Sequence, residues 1–240
     1  YAITVPPKPG IRPMVEWEPM EAVVMGFPAS MAQYDGITTT VTQIAANASL
    51  VGEVWFIVES NSTVNFLKGQ LQDMGVSSGI LDSKVKFLIQ PLDSIWFIDY
   101  GPLPIVDPAQ GTFAFADFRY YTERPLDDGL STWLGRQLPT LGMGEPADTY
   151  RMPVNTEGGT FMSTSDGICF TGSRQLYYMS CDQGFCDDDL NYLPMSQLQT
   201  HPLTQQLKEL WGDYAGCKDV IVTHSITDDG TGHGIVVLFT

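Results

Sequence analysis

Asn155-Thr156-Glu157-Gly158-Gly159-Thr160-Phe161 sets one carboxylate ahead of two glycines. Glycine has no Cβ, so a second stretch of backbone can lie against this turn while Glu157 is held beside it. Two other segments read as its partners. Trp96-Phe97-Ile98-Asp99-Tyr100-Gly101-Pro102 places an acid among aromatics before a turn, and Asp228-Asp229-Gly230-Thr231-Gly232-His233-Gly234 runs directly into Ile235-Val236-Val237-Leu238-Phe239. A histidine after a glycine-rich turn at the mouth of a strand is presented for proton transfer.

Working outward, strands and helices alternate along the chain. Ala22 to Phe27, Glu53 to Glu59 and Val85 to Ile89 are apolar runs of strand length, and Thr38 to Leu50 and Thr63 to Met74 have helical spacing. After the Asp99 turn, Pro104 to Val106 and Gly111 to Phe118 read as paired strands, followed by a helix over Gly129 to Leu141. Phe161 to Ser163 and Gly167 to Phe170 form a hairpin around Ser165-Asp166-Gly167. A helix from about Pro194 to Trp211, a strand over Asp219 to Thr223 and a last strand from Gly234 complete an α/β pattern.

With 240 residues and 43% apolar content, the chain can bury a large core. No Pro/Ser-rich linker or charge block divides it, so a single domain over 1–240 is expected. The formal charge of −16 argues against nucleic acid and anionic membrane as partners and favours a cationic ligand. No stretch approaches the roughly 20 apolar residues of a membrane span.

Four cysteines, Cys169, Cys181, Cys186 and Cys217, are an even number, and Cys181 and Cys186 are close enough to close a small loop. Disulfides imply a secreted or extracytoplasmic protein. Cys217 reads as buried or bridged. Asn47-Ala48-Ser49 and Asn61-Ser62-Thr63 permit glycosylation. The loop from Cys181 to Asp189 gathers Asp182, Asp187, Asp188 and Asp189, enough oxygen ligands for calcium, although without the spacing of an EF-hand. A solvated acidic loop is the plainer reading.

WxxDxGP, then EGG followed by the Asp166-Gly167 turn, then DGTGH, resembles in that order the guanidine-modifying (pentein) superfamily, and within it the agmatine deiminase and bacterial-type peptidylarginine deiminase branch. Arg12-Pro13-Met14-Val15-Glu16-Trp17-Glu18-Pro19 with Ala22-Val23-Val24-Met25 also resembles the first strand of those proteins. The resemblance implies an α/β propeller of repeated ββαβ units, incomplete in this chain. It implies a deiminase-type hydrolase needing no cofactor, in which a cysteine thiolate attacks a guanidinium carbon and a histidine moves protons. By resemblance Asp99 grips the guanidinium and His233 is the general acid/base. Glu157 orients His233 or the substrate, and Trp96 and Tyr100 wall the slot.

The chain departs from the family pattern at three points. Ile98 stands where the pattern has arginine, and Ile235 where it has a second guanidinium-binding aspartate. The pattern's catalytic cysteine lies well beyond the histidine strand, so the nucleophile is expected outside this chain, on a C-terminal complementary portion. Two classes follow: a guanidine hydrolase acting on agmatine or peptidyl-arginine, or a catalytically inactive scaffold. Each site residue also has a structural alternative. Asp99 can cap the turn before Pro102, Glu157 can pair with Arg151 or Arg174, and His233 can satisfy a turn.

Overall fold

The computed structural model describes residues 2–225, and His233 and Ile235 lie outside that range. In chain order the elements are β1 (Arg12–Pro13), β2 (Ala22–Phe27), α1 (Asp35–Ala48), β3 (Glu53–Val58), α2 (Asn61–Asp73), α3 (Ser78–Lys84) and β4 (Val85–Ile89). Then come α4 (Phe97–Tyr100), β5 (Leu103–Asp107), β6 (Thr112–Arg119), α5 (Pro125–Asp128), α6 (Leu130–Gln137) and β7 (Thr149–Asn155). β8 (Met162–Ser163), β9 (Ile168–Gly172), α7 (Arg174–Asp182), α8 (Met195–Thr200), α9 (Pro202–Ala215) and β10 (Asp219–Thr223) follow. The fold is mixed α/β, and the described residues divide into two compact units. Among the described residues no helix is long and apolar enough to cross a membrane.

The smaller unit, residues 19–97 with 124–127, is a parallel sheet in the order β2-β3-β4 with helical crossovers. β3 is its central strand and is apolar on both faces, from Val54 to Val58, as a strand covered on both sides must be. Its core joins Phe27, Phe56 and Val58 to Leu67 and Leu71 of α2 and Leu81 of α3. Thr63, Leu67 and Leu71 recur every four residues, which keeps one face of α2 on the sheet. Ser60 and Ser77 cap α2 and α3 by accepting from the amides of Thr63 and Ile80, satisfying donors the first helical turn leaves open.

The larger unit, residues 2–18, 98–123 and 128–225, repeats one plan twice. In the first sheet, β5 and β6 form an antiparallel hairpin and β7 returns parallel to β6 after α6, with β1 added antiparallel to β5. In the second, β8 and β9 form the hairpin and β10 returns parallel to β9 after α7, α8 and α9. These are two ββαβ units. Their shared core runs from Ile105, Phe118 and Met152 to Leu176, Leu207 and Trp211. Trp211 is fully buried, with its ring stacked on Phe161 at 4.5 Å.

The single helix expected from Pro194 to Trp211 is two helices. Proline has no amide proton to extend α8, so the chain breaks at His201, which is extended (ψ 141°) and caps α9 through Nδ1 to the Leu203 amide. Helix α9 ends at Gly216 (φ 78°), where a Cβ would overlap the Ile11 carbonyl. Cys217 follows and is bridged to Cys169 on β9, with the Cα atoms 5.8 Å apart. The second disulfide, Cys181–Cys186, closes the loop after α7.

Candidate functional site

Asp99 lies in the single turn α4 and is 4% exposed, and Glu157, just after β7, is 2% exposed. Their segments meet through Gly158. A Cβ there would overlap the Ile98 carbonyl oxygen and lie 3.7 Å from that of Asp99. Only glycine lets the two backbones approach this closely. The turn around Glu157 is shaped by its own carbonyl, which accepts from the Thr160 hydroxyl at 2.8 Å and from the Thr160 amide at 3.1 Å.

Burying an ionisable group is expensive, and at Glu157 two phenols meet the carboxylate. The Tyr121 hydroxyl donates to Glu157 Oε1, the Tyr178 hydroxyl lies 3.5 Å from the same oxygen, and the two hydroxyls are 3.2 Å apart. The tyrosines border a small slot of about 160 Å³ with Arg119, Glu123, Thr156 and Glu157. Thr156 Oγ1 is buried and finds no hydrogen-bond partner among the described residues. Such a group costs about 1–3 kcal/mol unless a ligand or water meets it.

Each slot residue has a structural reason for its place. Tyr121 follows β6, whose end is fixed when Asp128 Oδ1 accepts the Tyr120 amide at 2.6 Å. Arg151 of β7 ties that corner together, 2.8 Å from Asp117 and 2.6 Å from both Asp128 oxygens. Asp117 is pushed up to about 6, burial outweighing the nearby guanidinium. Tyr178 comes from α7, where the Arg174 guanidinium sits 4.1 Å from the Tyr177 ring centre and 5.5 Å from that of Tyr178. Burial, then the Glu157 charge, pushes Tyr178 up to about 12, with Arg174 opposing. At the end of α7, Asp182 bonds Arg119 at 2.9 Å and the Asn155 side-chain amide.

Tyr100, expected to wall the slot, is 1% exposed, with its ring edge-on to Tyr120 at 5.7 Å. Trp96 belongs to the smaller unit and is half exposed. Neither arginine offered as a structural partner for Glu157 serves it: Arg151 is committed to Asp117 and Asp128, and Arg174 stacks on tyrosines and reaches Asp188 at 3.8 Å. Asp187 accepts the Asp189 amide at 3.1 Å, and Asp182 faces Arg119. Among the described residues no three His, Cys, Asp or Glu side chains gather as a metal site. Sequence reasoning missed Tyr121 and Tyr178, whose only signals were the Tyr-Tyr pairs at 120–121 and 177–178.

Residues 12–192 match the sequence model of the Porphyromonas-type peptidyl-arginine deiminase family, so this chain belongs to that family. The fold is shared with agmatine deiminases. One is the substrate-bound C315S agmatine deiminase of C. jejuni, at 19% identity and a TM-score of 0.62 over 94% of this chain and 60% of the other. Another is the agmatine deiminase of Enterococcus faecalis, at 16% identity and a TM-score of 0.61 over 89% of this chain and 53% of the other. This chain thus spans less than two thirds of the length of either. No curated protein gives a significant match.

Proposed function

We propose that this chain carries the guanidinium-binding part of a hydrolase that breaks a C–N bond of a guanidine, on agmatine or on a peptidyl-arginine side chain. The observation that carries this reading is the contact of the Gly158 loop with the Ile98–Asp99 backbone, which gathers two buried carboxylates in one unit. A guanidinium is planar with five donors, and carboxylates are its natural receptor. Asp99 grips the substrate, Glu157 orients it or His233, and His233 is the acid/base. A cysteine thiolate adds to the guanidinium carbon, and His233 protonates the departing ammonia. His233 then takes a proton from the water that releases the thiolate and leaves a ureido product.

All four cysteines here are paired in disulfides, so the thiolate in this reading comes from a C-terminal portion beyond this chain. The two ββαβ units support a pentein propeller completed by further units. The disulfides support a secreted location, where the acidic chain draws in a cationic small molecule or an arginine side chain.

The test is release of ammonia by the full-length protein from agmatine and from an Nα-acylated arginine, with the ureido product measured by colour. Asp99→Asn and Glu157→Gln are expected to lower kcat by at least about 100-fold. A full-length protein silent on both substrates supports the second reading, a catalytically inactive pentein serving as a binding or assembly scaffold. That reading is favoured by Ile98, which is 66% exposed and so not required by the core and whose side chain lacks the charge and donors of the pattern's arginine, and by Ile235, whose side chain cannot accept a hydrogen bond as an aspartate does.

A further inference from the structure

A glutamate has three rotatable side-chain bonds, and burial alone does not choose among its rotamers. In this chain two phenols converge on one oxygen of Glu157. Tyr121 donates to Glu157 Oε1, and Tyr178 reaches the same atom at 3.5 Å and the Tyr121 hydroxyl at 3.2 Å. Both rings are themselves held. Tyr121 packs on Tyr120 with ring centres 4.5 Å apart, and Tyr178 is gripped by the Arg174 guanidinium from its own helix.

We propose that Tyr121 and Tyr178 are the positioning residues of Glu157, fixing Oε1 with their hydroxyls so that the carboxylate presents one set orientation to the ligand of the slot. The inference rests on the reading of Glu157 as a site residue. Tyr178 acts as a donor and not as a proton carrier. Tyr178, pushed up to about 12, keeps its proton at any ordinary working pH, and its neighbourhood of a carboxylate and a second phenol favours that state. Tyrosine suits the task because its two torsions and rigid ring place a hydroxyl with little freedom, and a hydrogen bond to a carboxylate is short and directional.

The experiment uses the full-length protein and two readouts. In the first, tyrosinate absorbance at 295 nm is titrated with and without Tyr178→Phe, so that the difference isolates Tyr178. Replacing Glu157→Gln is expected to lower the Tyr178 midpoint by about one unit or more. An unchanged midpoint overturns the proposal. In the second, Tyr121→Phe and Tyr178→Phe, which keep the rings and the core, are expected to lower kcat about 10-fold each while KM changes less than about 2-fold. Variants with unaltered kcat in an active protein overturn it as well. A wild type without hydrolase activity sinks the proposed reaction alone, and the titration then decides the link between the phenols and Glu157.

Discussion

Gly158 presses its α-carbon face against the carbonyl of Ile98, and this is the point at which the turn bearing Asp99 and the loop bearing Glu157 become one structure. A methyl group at Gly158 must displace backbone on one side or the other. Gly158→Ala is therefore expected to destabilise the protein by about 1–3 kcal/mol, a range typical of overpacking in a close-packed region. Urea unfolding reads this directly, and a loss under about 0.5 kcal/mol would mean that the contact is slack.

The two disulfides differ in what they constrain. Cys169–Cys217 closes a loop of 48 residues, and Cys181–Cys186 one of 5. In the chain-entropy account, replacing the first pair by alanine costs about 4 kcal/mol and the second about 2. Denaturant midpoints of the two double variants are expected to fall in that order, and the reverse order would show that the short loop carries native-state packing of its own.

Asp117 gives a pH dependence whose sign is fixed. Its folded value is raised to about 6 from an ordinary 3.8, so the folded state binds this proton more tightly than the unfolded chain does. The stability it contributes is full below pH 3.8 and is lost as pH rises through 6, an effect on the order of 3 kcal/mol. The difference in unfolding free energy between wild type and Asp117→Asn, followed from pH 3.5 to about 7, should slope in that window. A flat difference would mean that Arg151 holds Asp117 ionised throughout.

Calcium tests the acidic loop separately. Asp182 already serves Arg119 and Asn155, and Asp187 accepts an amide of its own loop. Millimolar calcium is expected to move the thermal midpoint by less than about 1 °C. A rise of several degrees, abolished by Asp188→Asn with Asp189→Asn, would establish an ion site there.

Apolar runs made much of this fold legible. β2, β4 and β10 match their expected limits, and β3 differs by one residue, because short runs rich in β-branched and aromatic residues announce strands. β7 was not read from the sequence because Arg151 and Pro153 interrupt its apolar character. The structure explains both, since Arg151 is neutralised by Asp117 and Asp128, and Pro153 lies on the edge strand of its sheet, where a missing amide proton costs little. Helix α7 was missed as well, its serine, cysteine and paired tyrosines giving no apolar stripe. The close approach of the Asp99 and Glu157 turns was legible through Gly158 and Gly159. Tyr121 and Tyr178 were not, because 57 residues separate them and no local pattern marks a phenol turned toward a carboxylate.

Helix α7 acts as a ruler. Arg174, Tyr178 and Asp182 recur every four residues along it and serve, in turn, a tyrosine ring, the Glu157 carboxylate and the Arg119–Asn155 pair. Residues four apart share a face only while the helical count is kept, and one inserted or deleted residue swings everything beyond it by about 100°. The length of α7 is thus as constrained as the identity of the three residues it spaces.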